Sequence, residues 1–362
     1  MVKLKMKYNF SNFYKNKKVL VTGATGFKGA WLCNWLKILG ANVYGIGFNP
    51  NQNKNFFYNL NLHKRIKLKI LDIRNFKDTK KTINKFKPSI IFHLAAQPLI
   101  YESYKKPYLT FDVNFRGSLN IVESAISNNF VRSLIVVTSD KCYESNNSTL
   151  GFKENDVLGG IDPYSASKAA TEIMVRAYRK SFLMNKKNFS MSTGRAGNVI
   201  GGGDWSTKRL IPDCIRSIRT NRKIVLRNPN FNRPWQHVLE PLKGYLMLAK
   251  EQFKNPIKYS GAWNFGTNPR SLTTVKTIVE YIIKFWGKGH LVSKKNNFYE
   301  QANLQLNINK AKKKLNWKPT YNIKESVKIT VDWYYKVLQK KESSIKVTDS
   351  QIKKYMHDSK IS

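Results

Sequence analysis

The sequence predicts an α/β protein with a Rossmann-type, doubly wound parallel sheet and a smaller carboxyl-terminal lobe. Three observations predict this fold: short apolar runs alternate with segments of helical spacing, a glycine-rich turn follows the first run, and the alternation fades after about residue 199. The expected boundaries are 17–198 for the sheet domain and 199–338 for the lobe, with some lobe segments returning to the sheet domain. Residues 1–16 and 339–362 are expected to be frayed tails.

The first βαβ unit is predicted from KKVLVTGATGFKGAWLCNWLKILGANVYGIGF. An apolar run and a glycine turn lead into helical spacing of Ala30, Leu32, Leu36 and Leu39, which ends at Gly40 before a second apolar run. Further strands are predicted in RIKLKILDI, SIIFHLAA, SLIVVTS and SMSTGRAGNVI. Ligands of such sheets lie beyond the carboxyl ends of the strands.

The glycine turn GATGFKG stands between a predicted strand and a predicted helix. Gly23, Gly26 and Gly29 permit a tight turn and the close approach of a pyrophosphate to a helix N-terminus, so the turn predicts dinucleotide binding. The residue that binds the ribose should stand about 20 residues further on. YGIGFNP offers no Asp, Glu or Arg there, which leaves NAD and NADP both open. Asp72 in LDIR is a candidate adenine contact or a plain surface aspartate.

The composition excludes several classes of protein. The formal net charge is +42, from 64 Lys and Arg against 22 Asp and Glu, but the lysines are scattered along the whole chain, so we expect solvated faces and no nucleic-acid partner. No apolar run approaches the roughly 20 residues of a membrane span, which predicts a cytoplasmic protein with no membrane partner. Cys33, Cys142 and Cys214 are far apart and predict neither a disulfide framework nor a metal site.

Two short segments carry candidate catalytic side chains. Tyr164 and Lys168 in YSASK are spaced i and i+4, so both point along one helix face. An ammonium group beside a phenol favours the phenolate, and we therefore expect a lowered tyrosine pKa. Ser139, Asp140 and Lys141 follow directly after the apolar run SLIVV and Thr138, where Asp140 and Lys141 could instead form a surface ion pair.

Together these motifs resemble the extended short-chain dehydrogenase/reductase family. The resemblance rests on GATGFKG, HLAAQP, Asn114 in DVNFRGSLN, TSDK and YSASK. GFKENDVLGGIDPYSASK, RAGNVIGGGDW and RNPNFNRPWQHVLEPLKGYL are similar to the CDP-glucose 4,6-dehydratase branch, and the similarity runs from about 17 to 335. It implies bound NAD, CDP-glucose as substrate, a substrate-binding carboxyl-terminal lobe, a homodimer or homotetramer, and a place in deoxysugar synthesis such as that of the lipopolysaccharide O-antigen.

The resemblance also implies residue roles. The reaction would oxidise the sugar at C4, eliminate water across C5 and C6, and return the hydride to C6. Asp140 would be the acid and Lys141 the base, at the position where related dTDP-glucose dehydratases carry glutamate. Asn198 and Arg233 would bind phosphate. The implied cofactor residues are Gly23, Thr25, Gly26, Phe27, Gly29, Asp72, Ile73, Leu94, Ala95, Ala96, Tyr164 and Lys168.

Some assignments stay open in the sequence. His237, Trp205 and Trp235 either shape the substrate pocket or belong to the core, and Arg195 is either structural or substrate-facing. Asn114 is expected to kink a helix or bind a cofactor water. An epimerase or another nucleotide-sugar dehydratase is the alternative enzyme, although an epimerase has no use for an acid and base pair. A nucleic-acid-binding protein with this fold would be expected to lose Tyr164 or Lys168.

Overall fold

The central feature is a seven-stranded, wholly parallel sheet. The computed structural model describes residues 9–48, 55–144, 151–183, 186–226, 228–268, 272–293 and 305–361. The strands of this sheet are β1 (Lys18–Thr22), β2 (Asn42–Gly47), β3 (Lys67–Ile70), β4 (Ile90–His93), β5 (Ser133–Val137), β6 (Ser190–Ala196) and β11 (Gly261–Phe265). Their spatial order is β3-β2-β1-β4-β5-β6-β11. The order reverses between β1 and β4, which confirms the predicted doubly wound sheet and opens a crevice at their carboxyl ends.

Helices cover both faces of the sheet. Those preceding β6 are α1 (Phe10–Tyr14), α2 (Phe27–Ile38), α3 (Phe56–Asn59), α4 (Leu62–Arg65), α5 (Phe76–Phe86), α6 (Ile100–Lys105), α7 (Pro107–Phe111), α8 (Gly117–Ile126) and α9 (Pro163–Phe182). Those following it are α10 (Leu210–Arg219), α11 (Leu239–Lys254), α12 (Val275–Trp286), α13 (Asn309–Leu315), α14 (Ile323–Leu338) and α15 (Ser344–Asp358). No described helix is both long enough and apolar enough to cross a membrane.

The later part of the chain adds short strand pairs beside the main sheet. β7 (Val199–Ile200) pairs with β10 (Gln236–His237), β8 (Ile224–Leu226) with β13 (Leu291–Ser293), and β9 (Asn232–Arg233) with β12 (Thr273–Thr274). One hydrophobic cluster contains buried residues from α2, α10, α11, α12 and α14, so the part after β6 shares a core with the sheet. β11 joins the main sheet from this later part, while the domain boundaries themselves stay a prediction.

The carboxyl-terminal segment is a packed helix, so the prediction of a frayed tail at 339–362 is wrong. Val347, Ile352 and Tyr355 of α15 are buried, and the Asn34 amide of α2 donates a 2.7 Å hydrogen bond to Asp349. The polar and charged residues of this segment lie on the solvent face, while apolar ones spaced three to five apart face the core. The amino-terminal expectation fails similarly, because Phe10 and Tyr14 of α1 are buried; residues 1–8 lie outside the described residues.

Deleting the chain after Glu342 should lower the free energy of unfolding by at least about 3 kcal/mol, because the buried apolar side chains of α15 would be lost and α2 exposed. Urea unfolding followed by circular dichroism measures this change. Lys353→Ala on the exposed face of α15 is the control and should stay within about 0.5 kcal/mol of the native protein. Equal stability of the truncated and native chains would contradict the packed helix.

The motif RPWQHVLEP supplies an internal anchor. Glu240 at the start of α11 is fully buried, and its carboxylate accepts hydrogen bonds from the Thr320 and Tyr321 amides and from the Tyr355 hydroxyl. Burial raises the pKa of Glu240, against the opposing effects of Lys243 and these hydrogen bonds. This part of the motif therefore fastens α15 and the loop before α14 to α11.

Candidate active site

The glycine turn forms a cradle between β1, β4 and α2. Gly23 has φ +70, and a Cβ built on it would lie 2.7 Å from the Ala95 amide nitrogen. A Cβ on Gly29 would lie 2.0 Å from the Gly23 carbonyl oxygen. Gly26 is the N-cap of α2, and no side chain caps this helix. Only glycine fits at Gly23 and Gly29, and the first amides of α2 point into the crevice where a pyrophosphate would lie.

Residues after β4 complete the same crevice. Leu94, Ala95 and Ala96 are partly exposed there, and the Ala95 amide donates a 3.2 Å hydrogen bond to the Thr22 hydroxyl. Thr22 in turn contacts the buried His93 ring at 2.6 Å, so the ends of β1 and β4 are fixed to one another. Burial, aided by Lys168, lowers the pKa of His93 to about 3 and keeps the ring neutral.

The other predicted cofactor residues are either buried or partly exposed. Thr25 is buried beneath Gly47 and Phe27 is partly exposed, while Ile73 is buried against Gly117. Asp72 is partly exposed and forms a 2.5 Å ion pair with Arg74, whose hydrogen bond is the main cause that lowers the pKa of Asp72. The predicted ribose position falls at the end of β2, where residues 49 and 50 lie outside the described residues.

Three predicted catalytic residues, here called the reactive row, lie directly beyond β5: Ser139, Asp140 and Lys141. Ser139 is the N-cap of a 3₁₀ turn over Asp140–Cys142. The Ser139 hydroxyl donates a 3.0 Å hydrogen bond to Asp140 Oδ1 and accepts one of 3.2 Å from the Lys141 amide. Asp140 is 2% exposed, and its second carboxylate oxygen, Oδ2, is buried with no hydrogen-bond partner among the described residues. A buried carboxylate oxygen without a partner is costly unless a ligand satisfies it.

Tyr164 and Lys168 lie on the first two turns of α9, whose N-cap Asp162 accepts a hydrogen bond from the Ser165 amide. The Lys168 ammonium is buried and donates a 3.3 Å hydrogen bond to the Val137 carbonyl. Burial lowers the pKa of Lys168 to about 8, although Glu172 opposes the shift. Burial raises the pKa of Tyr164 to about 12, and a hydrogen bond with Ser139 only partly offsets it. For the protein alone, the expected lowering of the tyrosine pKa is therefore wrong.

The RAGN and RPWQH segments meet at Asp140. A Cβ on Gly197 would lie 2.9 Å from Asp140 Oδ2 and 3.6 Å from the Pro234 carbonyl oxygen, so this glycine separates the two. The neighbouring Asn198 is partly exposed, and its carbonyl accepts a 3.0 Å hydrogen bond from the Gln236 amide. Arg233 is partly exposed on β9 with its guanidinium 5.5 Å from the Phe231 ring centroid. The two segments predicted to bind phosphate thus converge near the Asp140 carboxylate.

His237 is buried in the core of this structure, and a substrate-binding role for it stays a prediction. Its ring is 0% exposed and lies edge-on to Trp31 and Tyr321 at 5.8 and 6.4 Å between centroids. Burial lowers the pKa of His237 to about 3. Trp205 packs on Tyr334, and Trp235 is 7% exposed within the main core. Both side chains therefore contribute to core packing.

Arg195 is structural, which resolves the alternative left open by the sequence. Its guanidinium pairs with Glu172 at 2.7 Å, donates to the Tyr143 hydroxyl at 2.6 Å and stacks on the same ring. Both charged side chains are at most 3% exposed. Asn114 lies in the π-helical turn Asp112–Arg116 and binds the Gln97 backbone, which confirms the expected helix distortion.

Sequence reasoning missed Lys28, which stands inside the glycine turn. Burial lowers the pKa of Lys28 to about 8, with further lowering by Arg209 and Lys168 and an opposing effect of Asp140. Its ammonium is therefore within electrostatic reach of Lys168 and Asp140. A lysine between two turn glycines was the available signal, but the abundance of lysine in this chain obscured it.

Comparison with known proteins places this chain in a family. The family model described as GDP-mannose 4,6 dehydratase matches residues 20–330. The chain belongs to the GDP-mannose 4,6 dehydratase family. A relative named CDP-glucose 4,6-dehydratase, from Salmonella typhimurium strain LT2, is 39% identical over 330 residues, covering 89% of this chain and 92% of the relative. A UDP-glucuronate 4-epimerase from Thermodesulfobacterium geofontis is 26% identical, covering 87% and 95%.

Solved structures share the fold of this GDP-mannose 4,6 dehydratase family member. DesIV, a dTDP-glucose 4,6-dehydratase from Streptomyces venezuelae solved with NAD and TYD, superposes with a TM-score of 0.75 at 19% identity, covering 88% of this chain and 97% of DesIV. Epimerase Mth375 from Methanothermobacter thermautotrophicus gives 0.79 at 21% identity, covering 91% and 95%. The predicted resemblance and the predicted fold are confirmed, whereas the individual site residues stay predictions.

Proposed function

We propose that this chain is an NAD-dependent CDP-glucose 4,6-dehydratase that converts CDP-D-glucose to CDP-4-dehydro-6-deoxy-D-glucose and water. The observation that carries the proposal is the buried, unpartnered Oδ2 of Asp140, in a turn that packs against α9, the helix of Tyr164 and Lys168. An acid for the departing C6 hydroxyl is needed there. The 39% identity to the Salmonella relative supports the choice of nucleotide sugar. A cytoplasmic enzyme feeding deoxysugar synthesis, such as that of the O-antigen, completes the proposal.

The glycine cradle fits NAD, because side-chain atoms at Gly23 or Gly29 would fill the space between β1, β4 and α2. Gly23, Gly26 and the first turn of α2 would hold its pyrophosphate, and the segment after β4 would lie along the crevice floor. Asp72 with Ile73 would lie near the adenine and Tyr164 with Lys168 near the nicotinamide. When bound, NAD accepts the C4 hydride and returns it to C6.

Gly23→Ala should strip the purified protein of bound NAD and lower its unfolding midpoint, because the added methyl group would lie 2.7 Å from the Ala95 nitrogen at a φ of +70. Gly40→Ala is the matched control: its φ is +77, but the added methyl group would meet only Lys15 at 3.6 Å. We expect that control to lose about 1 kcal/mol of stability and to keep its NAD. Equal NAD content of the Gly23→Ala and native proteins would contradict the cradle.

Tyr164 and its neighbours would carry out the oxidation at C4. The phenolate takes the proton of the C4 hydroxyl as the hydride leaves, and Ser139 orients that hydroxyl. The pKa of Tyr164 is raised to about 12 in the protein alone, so the ligands that complete the site have to favour the phenolate. Lys168 contributes a positive charge fixed on the Val137 carbonyl.

Asp140 and Lys141 would carry out the elimination. The Lys141 amine removes the C5 proton made acidic by the C4 ketone, while Asp140 gives its proton to the C6 hydroxyl, which leaves as water. Lys141 then returns a proton to C5 as hydride arrives at C6. Tyr164 has gained one proton and Asp140 has lost one over the cycle. The Ser139 hydroxyl donates to Asp140 and also influences the pKa of Tyr164, so it would carry that proton from Tyr164 to Asp140.

Cations around the row would bind the nucleotide diphosphate. Asn198 and Arg233 approach from the segments that meet at Gly197, and Lys28 would add a further cation within electrostatic reach of Asp140 and Arg209. Cation and amide donors suit a diphosphate. A homodimer or homotetramer is part of the proposal, supported by exposed apolar side chains on three helices that pack together: Tyr104 of α6 at 65%, Tyr108 of α7 at 83% and Ile173 of α9 at 46%. Light scattering of the purified protein measures the assembly.

The test is incubation of the purified protein and NAD with CDP-glucose, UDP-glucose, dTDP-glucose and GDP-mannose in parallel. We expect a 4-keto-6-deoxy product, detected by its alkaline ultraviolet absorbance, from CDP-glucose at a kcat/KM at least about tenfold above the others. Lasting stoichiometric NADH would reject the cycle. Interconversion of C4 epimers would favour an epimerase. Nucleic-acid binding at physiological salt without sugar turnover would favour the non-enzyme alternative.

A further inference from the structure

Glu172 is a fully buried carboxylate that the proposed chemistry does not use. It lies on α9 one turn after Lys168, and its side chain is 2% exposed. Oε1 accepts a 2.5 Å hydrogen bond from the Thr138 hydroxyl. Oε2 accepts 2.7 Å hydrogen bonds from the Thr193 hydroxyl and the Arg195 guanidinium. Each carboxylate oxygen thus has separate partners: Oε1 binds the residue directly after β5, and Oε2 binds two residues of β6.

A buried ion pair of this kind is poorly explained by stability alone. Moving two charges out of water costs several kcal/mol per ion, and well-packed apolar side chains of the same volume are often as stable. The charged pair instead fixes the orientation of the groups around it, because hydrogen bonds from three donors to one carboxylate restrict where each donor can lie. The question is which part of the chain this orientation serves.

The answer lies in the two consecutive residues that α9 holds at the end of β5. Lys168 donates to the Val137 carbonyl at 3.3 Å, and Glu172 accepts from the Thr138 hydroxyl. Lys168 and Glu172 are spaced i and i+4 on one face of the helix. The next residue in the chain is Ser139, so the last fixed side chain before the reactive row is Thr138.

We propose that Glu172 is a positioning residue that acts through the Thr138 hydroxyl to aim Ser139, Asp140 and Lys141 at the sugar. The inference rests on the proposed function, since it assigns Glu172 a role in that reaction. Without this contact, the backbone between Val137 and Ser139 would keep its strand pairing but lose the side-chain bond that stops rotation of the strand end. A misplacement of reacting groups by about 1 Å costs on the order of 10²-fold in rate.

The test compares two variants, each of which removes one hydrogen-bond donor to the Glu172 carboxylate, with a third variant that keeps the donor. Thr138→Val removes the bond to Oε1 with little change in volume, and Thr138→Ser keeps a hydroxyl there. Thr193→Val removes the bond to Oε2 from β6 and leaves the contact with β5. The two valine variants should lose similar stability, measured by urea unfolding, because each leaves the same carboxylate with one donor fewer.

Thr138→Val should lower kcat for CDP-glucose by about 10- to 100-fold with KM within about twofold of native, because binding groups are untouched while reacting groups are misaligned. Thr138→Ser and Thr193→Val should keep kcat within about threefold of native. The fraction of oxidised sugar that stops as the 4-keto hexose, measured by rapid quench, should rise in Thr138→Val alone, since it reports the alignment of Lys141 and Asp140 for the elimination.

Equal kcat losses in Thr138→Val and Thr193→Val would overturn the inference and make Glu172 a purely structural residue. A native kcat in Thr138→Val would overturn it as well. A native protein that fails to convert CDP-glucose would overturn the proposed function itself, and this inference with it. The native assay, run first, separates that failure from the other two.

Discussion

Replacing Lys141 by methionine is expected to leave oxidation at C4 intact while lowering formation of the 6-deoxy product by about 10³-fold. A positioned acid or base contributes about 10² to 10⁴ in rate, and methionine keeps the length of the side chain while removing its amine. The variant should accumulate the 4-keto hexose and reduced nicotinamide after one turnover. Rapid-quench analysis of the sugars, together with nicotinamide absorbance, measures both.

Two further variants sharpen the result for Lys141. Lys141→Glu supplies a different base at the same position and should restore part of the elimination. Lys153→Met removes an exposed lysine and should turn over like the native protein. Solvent deuterium should not enter C5 in Lys141→Met. Full turnover of that variant would remove the base role from Lys141 and leave Asp140 as the sole added group.

Replacing Arg195 by methionine is expected to lower the free energy of unfolding by about 3 to 5 kcal/mol, because it leaves the Glu172 carboxylate buried without its counter-charge. Urea unfolding of the variant at neutral pH measures the loss. Glu172→Gln combined with Arg195→Met removes both charges and should recover a large part of it. Arg176→Met, on the exposed face of α9, should change stability by less than about 0.5 kcal/mol.

The same pair predicts the sign of a pH effect. Burial alone would raise the pKa of Glu172, but the Arg195 charge and the three hydrogen bonds outweigh it and lower the pKa below its ordinary value of 4.5. The ionised carboxylate therefore stabilises the fold fully above pH 4.5, and this contribution is lost as the pH falls through the lowered pKa. Glu172→Gln should flatten that part of the acid unfolding curve. An unchanged acid limb would contradict the assignment.

Local pattern was sufficient for much of the fold and for the reactive segments. The first βαβ unit follows from the period of its hydrophobic residues and from two glycines that no other residue could replace. A Cβ on Gly23 would clash with Ala95, and a Cβ on Gly29 would clash with Gly23. Tyr164 and Lys168 share a helix face as their spacing requires. Ser139 and its neighbours lie at the carboxyl end of the parallel strands because β5 ends at Val137. These are local consequences of chain geometry.

The frayed-tail prediction failed although a signal was present. Val347, Ile352 and Tyr355 are spaced for one helix face, but the surrounding lysines and serines lowered the average hydropathy of the segment. Its stability comes from packing against α2 and from the hydroxyl contact of Tyr355 with Glu240. Neither partner is adjacent in sequence, so composition alone could not predict the outcome.

The sequence by itself determined the parallel sheet, the nucleotide turn and the chemical identity of the reactive groups, because these depend on period, spacing and residue type. Only the tertiary structure decided that His237 is buried in the core, that Arg195 pairs with Glu172, and that the Lys28 ammonium comes within electrostatic reach of Asp140. Burial and long-range pairing set these roles. They arise when segments that are distant in sequence pack together, and the local pattern of residues does not predict that packing.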